Sequence, residues 1–163
     1  MPRNRPENRS RSEGKPNKIQ KNFSQVLGFD FGKKRIGIAS GQTITRTATP
    51  QTTLHAVNGN PNWHAITEQI QQWQPQALIV GMPYHLDGQK NTMTQAVEDF
   101  CFALKKRYKL PIVLVDERYS SAQAETQLKK NIKINQHNRL EIDKMAAAVI
   151  VQRWLENESG QFF

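Results

Sequence analysis

Residues 26–40, VLGFDFGKKRIGIAS, contain two short apolar runs joined by a glycine and a basic turn. Residues 26–31 predict one buried strand and residues 36–39 a second, with Gly32-Lys33-Lys34 as a hairpin connection of suitable length and glycine content. Asp30 lies within the first strand. Because burying a carboxylate costs several kcal/mol unless it is paired or binds a metal, we expect Asp30 to have a charged partner or a metal ion.

The totals predict one globular domain with an uneven excess of positive charge. The chain has 163 residues and a formal net charge of +9. Residues 1–22 hold seven Lys or Arg and two Glu but almost no apolar residues, so we expect a disordered basic tail. That tail is either a solubilising extension or an arm that binds nucleic acid, and the overall charge fits a polyanionic partner. Residues 23–163 are expected to form the single domain.

Cysteine content and hydropathy indicate the compartment. Cys101 is the single cysteine and cannot form an internal disulfide, which fits a reducing compartment. It shares an apolar helical stripe with Val97, Phe100 and Leu104, so we interpret it as a core residue rather than a reactive thiol. The sequence has no recognisable signal peptide and no apolar run long enough to span a bilayer. We therefore expect a cytoplasmic protein without a membrane partner.

The order of the remaining elements predicts an α/β fold. The predicted elements are a strand at 43–53, a loop at 58–61, a helix at 63–73, a strand at 77–80, a helix at 91–108, a strand at 111–115, a helix capped by Ser120 or Ser121, a mobile polar segment at 129–139 and a helix at 141–156. Right-handed crossovers make the later strands parallel to the first, which gives a mixed sheet with helices on its faces. In such sheets the site forms beyond the carboxyl ends of the strands.

Three separated segments supply carboxylates that we expect to converge. Asp143 shares one helical face with Ala146, Ala147 and Ile150, and packing of that face on the sheet would bring Asp143 toward Asp30 and the pair at 116–117. A cluster of like charges needs cations, and carboxylate oxygens suit Mg²⁺ or Mn²⁺. Two such ions about 4 Å apart can activate a water and stabilise the leaving oxygen in phosphodiester hydrolysis.

Each acid also has a structural alternative. Asp143, near a predicted helix start, could complement the helix dipole. Asp116 and Glu117 could form weak surface ion pairs with Arg118 or Lys144. Asp30 is the hardest to explain in this way, because the strand around it is apolar.

The basic residues and one glycine are candidates for nucleic-acid binding. Lys33, Lys34 and Arg35 follow Asp30 and could hold phosphates, although a charged hairpin turn can equally be a solvated one. Arg118 could neutralise a phosphate or pair with its neighbours. Gly81 could permit close approach of a nucleic-acid backbone, or it could simply end a strand.

Four motifs, in this order, resemble the YqgF family, also called RuvX, of the RNase H-like superfamily. They are GFDFGKKRIGIAS at 28–40, GMPYHLDG at 81–88, DERYSSAQAE at 116–125 and DKMAAAVI at 143–150, and the resemblance extends over about residues 27–155. It implies a five-stranded RNase H-like sheet and a site in which Asp30, Glu117 and Asp143 are catalytic, metal-binding residues. Asp116 matches the motif as a further metal-binding candidate.

The resemblance also implies a function. Family members are described as nucleases that mature the 5′ end of pre-16S rRNA, and as Holliday junction resolvases by similarity to RuvC. The implied partners are RNA, structured DNA and ribosomal particles, and we expect a monomer or a weak homodimer. The family pattern does not include residues 1–22, so it implies nothing about the tail.

Two other classes stay open at this point. The chain could be a non-catalytic nucleic-acid-binding factor in ribosome assembly, but retention of three separated acids argues against that class. An Asp-x-Gly sequence after a first strand also occurs in actin-like ATPases. This chain looks too short for their two lobes and has no P-loop.

Overall fold

Residues 23–83, 91–116, 136–157 and 160–163 are described by the computed structural model, and they form a mixed sheet covered by helices. The elements are β1 Gln25–Phe31, β2 Arg35–Gln42, β3 Thr47–Val57, β4 Asn60–Pro61, α1 Trp63–Trp73, β5 Ala77–Met82, α2 Thr92–Tyr108, β6 Ile112–Asp116, α3 Gln136–Asn157 and β7 Gln161–Phe162. The strand order is β4-β3-β2-β1-β5-β6-β7. The predicted α/β class is confirmed: five of these strands form the expected sheet, and the two-residue strands β4 and β7 extend its edges.

Strand direction brings the carboxyl ends of three strands to one edge. β1 pairs antiparallel with β2 and parallel with β5, and β5 pairs parallel with β6. The predicted hairpin of β1 and β2 is confirmed, with residues 32–34 between the two strands. Because β1, β5 and β6 run in the same direction, Asp30, Met82 and Asp116 lie at or next to the same edge of the sheet.

The third strand lies four residues later than predicted. Residues 43–46 form a turn between β2 and β3, and Arg46 in that turn has a φ of 55°. The threonine content of the segment indicated a strand, but pairing of Gln42 with Thr47 closes the turn before β3 begins. Local β propensity was overridden here by the register of the hairpin.

A second hairpin replaces the loop predicted at 58–61. Val57 pairs with Asn60, and Asn58 and Gly59 between them have φ values of 51° and 78°. Two successive positive φ values are typical of a type I′ turn, for which Asn-Gly is a favoured pair. The chain therefore reverses tightly between β3 and β4.

The first two helices agree with the sequence pattern. α1 extends over the predicted periodic residues from Trp63 to Trp73, and its C-cap Gln74 adopts the left-handed conformation just before Pro75. Asn91 is the N-cap of α2: its side-chain oxygen accepts a hydrogen bond from Thr94 N at 3.0 Å, and its backbone N–H donates to Thr94 Oγ1 at 2.7 Å. This reciprocal capping satisfies two backbone groups that would otherwise lack partners.

The last helix starts earlier than predicted. α3 begins at Gln136 rather than Glu141, so residues 136–139 are helical instead of forming part of a mobile segment. These residues are polar and show no apolar periodicity, which is why the sequence pattern missed them. The helix predicted after Ser120 or Ser121 and residues 129–135 lie outside the described residues.

Two apolar layers cover the sheet. One layer lies between the sheet and the helices α1 and α2. It contains Leu27, Phe29, Phe31, Ile36, Ile38, Leu78, Val80 and Phe100. The other packs against α3 and contains Val26, Ala39, Ile79, Val113, Val115, Ala147, Ile150 and Trp154. Because side chains alternate along a strand, Asp30 lies on the face that α3 covers.

The close packing predicted for the last helix is confirmed. Ala146, Ala147 and Ile150 are buried. Glycines on the sheet complete the fit, because a Cβ at Gly28 would overlap the side chain of Val151, and a Cβ at Gly37 would overlap the backbone carbonyl oxygen of Asp143. The backbone of α3 therefore lies directly on β2 at Gly37.

Cys101 belongs to the core, as predicted. It is fully buried in the layer under α1 and α2. Burial, with a smaller contribution from the nearby Glu98 carboxylate, raises the pKa of its thiol to about 12. No helix within the described part of the chain is long and apolar enough to cross a membrane.

Candidate active site

Two of the predicted acids share one pocket at the end of β1. Asp30 pairs with Gly37 on β2, and Gly37 lies against the backbone of Asp143. The sheet register and the seating of α3 thus bring two carboxylates together that are far apart in sequence. They line a pocket of about 270 Å³ with Phe31, Gly32, Lys33, Lys34, Arg35 and Met93.

Arg35 is the ion-pair partner of Asp143. Its Nε donates a hydrogen bond to Asp143 Oδ2 at 2.5 Å, and the two side chains are 27% and 21% exposed. A charge-assisted hydrogen bond in this partly buried position restrains the orientation of the Asp143 carboxylate. The sequence indicated Arg35 only as a phosphate-binding candidate, and this contact with Asp143 was not predicted.

The helix-dipole alternative for Asp143 does not apply. Because α3 begins at Gln136, Asp143 is in the third turn of the helix. The effect of the dipole falls off within the first turn. The position of Asp143 is therefore set by the packing of its backbone on Gly37 of β2 and by its hydrogen bond to Arg35.

The end of β6 contributes Asp116 on the opposite face from Asp30. Asp116 pairs with Met82 of β5 and is half-buried. Leu114 packs in the layer under α1 and α2, and Val115 in the layer under α3, so alternation assigns Asp116 to the face of Leu114. Its backbone carbonyl accepts a hydrogen bond from Arg153 Nη1 at 3.0 Å.

The other predicted binding residues divide into three groups. Lys33 and Lys34 are exposed in the turn beside the pocket. Gly81 is buried within β5, next to Val115 of β6. Glu117 and Arg118 lie outside the described residues.

The site also contains residues that sequence reasoning missed. Gly37 lies opposite Asp30 and provides the space for α3, and Met93 from the start of α2 forms an apolar wall. A glycine next to an apolar residue in a predicted buried strand was the available signal for Gly37, because such a glycine often permits close backbone approach. Met93 carried no signal of its own.

The donor atoms fit a hard divalent cation. Within residues 23–83, 91–116, 136–157 and 160–163, no group of three or more His, Cys, Asp or Glu could hold a metal ion. The pocket nevertheless contains two carboxylates, and Mg²⁺ commonly binds one or two carboxylates while keeping several waters. The oxygen-only set formed by Asp30 and Asp143 suits Mg²⁺ or Mn²⁺ better than a softer metal.

The fold and the site together define an α/β protein of the RNase H-like class. Its backbone is similar to that of a solved structure described as "T. thermophilus RuvC in complex with Holliday junction substrate", with a TM-score of 0.52 and 13% sequence identity. The similarity covers 85% of this chain and 99% of that one. At this identity the comparison establishes the fold alone.

The family follows from the sequence comparison. The profile of the family described as "RuvX: Holliday junction resolvase" matches residues 24–157, and the chain belongs to this family. A relative from Legionella pneumophila (strain Paris), named "Putative pre-16S rRNA nuclease", is 45% identical over 130 residues, which are 80% of this chain and 94% of that protein. A relative of the same name from Nitrosococcus oceani is 46% identical over 134 residues, 82% of this chain and 87% of that protein. The resemblance found in the four motifs is confirmed.

Proposed function

We propose that this protein is a divalent-metal-dependent nuclease that hydrolyses phosphodiester bonds in the 5′-end maturation of pre-16S rRNA. The observation that carries the proposal is the convergence of Asp30 and Asp143 in one pocket, beside the cationic residues 33–35. Membership in the RuvX family and the names of the relatives support the same activity. The enzyme acts in the cytoplasm, where ribosomal particles are its partners.

The residues that would hold the metal are the carboxylates of Asp30 and Asp143, which line the same pocket. Glu117, which lies outside the described residues, would be the third ligand according to the family motif. We do not assign Asp116 as a metal ligand. Side chains alternate along β6, and this alternation assigns Asp116 to the sheet face opposite that of Asp30. When bound, Mg²⁺ or Mn²⁺ supplies charge stabilisation to the phosphate and lowers the pKa of a bound water.

The basic residues hold and orient the site. Lys33 and Lys34 are exposed at the mouth of the pocket, where they bind phosphates of the strand and fix its register without reading the bases. Arg35 orients the Asp143 carboxylate. Arg118, which follows the predicted ligand Glu117 in sequence, binds a further phosphate.

Cleavage of a labelled pre-16S rRNA fragment tests the proposal. Wild type is assayed beside a four-way DNA junction, each with Mg²⁺, with Mn²⁺ and with chelator. Asp143→Asn removes one carboxylate from the pocket, and Glu141→Gln on the same helix is the matched control, since Glu141 is exposed and pairs with Lys144 instead. Metal-dependent RNA cleavage that is lost in Asp143→Asn and kept in Glu141→Gln supports the nuclease.

The assay with the four-way DNA junction tests a second candidate function. The family description and the fold of RuvC favour Holliday junction cleavage as the alternative activity. Cleavage of the junction alone, together with a dimer in solution, would replace the RNA nuclease by a resolvase in recombination and repair. Binding of RNA without cleavage of either substrate would instead indicate a non-catalytic assembly factor.

A further inference from the structure

A second pocket lies beside the carboxylate pocket. It has a volume of about 380 Å³, which is within the range of small-ligand sites. The residues that determine its chemistry are Phe31, Lys33, Asn58, Asn60, Trp63 and Asp99. Phe31 and Lys33 also line the pocket of Asp30 and Asp143, so the two pockets are adjacent at the end of β1.

The apolar wall of this second pocket is held by a row of rings. The rings of Phe31 and Phe100 are 4.7 Å apart between centroids, and the ring of Trp63 stacks on Phe100 at 5.8 Å. The guanidinium of Arg107 lies 4.2 Å from the centroid of Trp63. Because each ring is packed against a neighbour, the wall is formed before any ligand binds.

The polar wall is fixed relative to Lys33. The backbone N–H of Gly59 donates to Lys33 O at 3.2 Å, and that of Ala56 donates to Lys34 O at 2.8 Å. These bonds connect the end of β3 and the turn that follows it to the turn between β1 and β2. The backbone that carries Asn58 is therefore held next to the backbone of Lys33 and Lys34.

The chemistry of the walls favours a neutral, planar, hydrogen-bonding ligand. The Asp99 carboxylate, which accepts a hydrogen bond from Gln95 Nε2 at 3.1 Å, repels a phosphate group but accepts from an amino or imino N–H. The two asparagine amides can donate and accept at the edge of a ring, and the aromatic wall provides apolar contact for its faces. Lys33, between the two pockets, suits a phosphate that joins a ligand here to one at the carboxylates.

We propose that this second pocket binds the base of an unpaired nucleotide next to the phosphodiester that is cleaved. The inference rests on the proposed function, because it assigns the two pockets to successive parts of one nucleic-acid strand. The strand passes Lys33, with its phosphate at the carboxylates and its base turned into the second pocket. The enzyme thereby selects single-stranded over fully paired substrate at this position, since a paired base cannot enter.

Nuclear magnetic resonance of the full chain with chelator present tests the pocket without cleavage. The signals followed are the side-chain amides of Asn58 and Asn60. The probes are a short adenosine oligoribonucleotide and the same strand with abasic residues. We expect both amides to shift with the complete strand and to stay unchanged with the abasic strand. Equal shifts with both strands, or no shift at saturation of RNA binding, would overturn the proposal.

Two variants extend the test to affinity. Ala103→Phe fills the pocket with a larger side chain. Asn60→Ala changes an exposed side chain of the same pocket, so that RNA affinity can still be measured if Ala103→Phe does not fold. We expect Ala103→Phe to weaken binding of the complete strand by about tenfold, because the larger side chain takes the space of the base. Gln72→Ala on α1, exposed and outside the pocket, is the control and leaves affinity unchanged. Unchanged affinity in both Ala103→Phe and Asn60→Ala contradicts a base in the pocket.

Parallel cleavage of the pre-16S fragment separates the two proposals. Cleavage by wild type without base-dependent shifts refutes the base pocket and keeps the nuclease. Base-dependent shifts without cleavage keep the pocket and refute the nuclease.

Discussion

The pair formed by Arg35 and Asp143 should stabilise the folded protein in the absence of metal. The donor and acceptor atoms are 2.5 Å apart, and the side chains are 27% and 21% exposed. Hydrogen bonds to charged groups contribute about 1.5–3 kcal/mol when shielded, whereas exposed ion pairs contribute about 0.2–1 kcal/mol. Because about a quarter of each side chain remains exposed, we expect a coupling energy of about 1–1.5 kcal/mol, between these two ranges.

A double-mutant cycle measures this coupling. Arg35→Gln, Asp143→Asn and the combined variant are unfolded in urea with chelator present, and the coupling is the non-additive part of the change in unfolding free energy. The control cycle uses Glu141→Gln and Lys144→Gln on the same helix. Their atoms are 3.0 Å apart, but Glu141 is 49% exposed, so that coupling should be only about 0.3–0.5 kcal/mol.

The coupling energies from the two cycles show whether Arg35 holds Asp143 in place. A coupling for Arg35 and Asp143 no larger than that of the control pair would refute the view that Arg35 holds Asp143 in place. A large coupling in chelator that falls when Mg²⁺ is added would show that the cation and Arg35 compete for the same carboxylate.

Four further predictions concern single features of the chain. Asp30→Asn should abolish hydrolysis at nearly constant volume while the circular dichroism spectrum stays native, and full cleavage by the folded variant would exclude a metal mechanism through this residue. Gly37→Ala should lower the unfolding free energy in urea by at least about 1–3 kcal/mol, because the added Cβ meets the Asp143 backbone; an unchanged midpoint would show that α3 shifts at no cost. Deletion of residues 1–22 should reduce the slope of log affinity against log salt for RNA if the tail contacts phosphates, and an equal slope would leave the tail as a solubilising extension. Because the pKa of the Cys101 thiol is raised from its ordinary 9.0 to about 12, its contribution to stability is complete below pH 9 and is lost as the pH rises toward 12; Cys101→Ala should remove that part of the pH dependence of unfolding.

Local patterns predicted most of the backbone. The β1–β2 hairpin, α1 and α2 were predicted because apolar runs, helical periodicity, a glycine-containing turn and prolines act over a few neighbouring positions. The errors have the same local origin. The third strand was displaced because threonines indicated a strand in residues 43–46, and the start of α3 was missed because residues 136–139 have no apolar face.

The candidate site was predicted in composition but not in geometry. The sequence identified Asp30 and Asp143 as acids on faces that pack together, and the four motifs identified the family. It did not identify Arg35 as the partner of Asp143, because the two residues are 108 positions apart. The face of Asp116 was not predictable either, because residues 112–115 are all apolar and therefore do not distinguish the two faces of the sheet.

The sequence by itself therefore determined the fold class, the family and the acids that are candidates for the site. Only the tertiary structure decided which of those acids share a pocket, that Arg35 orients one of them, and that a second pocket adjoins the first. The physical reason is that hydrophobic periodicity and capping depend on residues a few positions apart, whereas a site depends on strand register and on the depth at which a helix packs. In this protein that depth is set at Gly37, where the absence of a side chain lets Asp143 reach the sheet opposite Asp30.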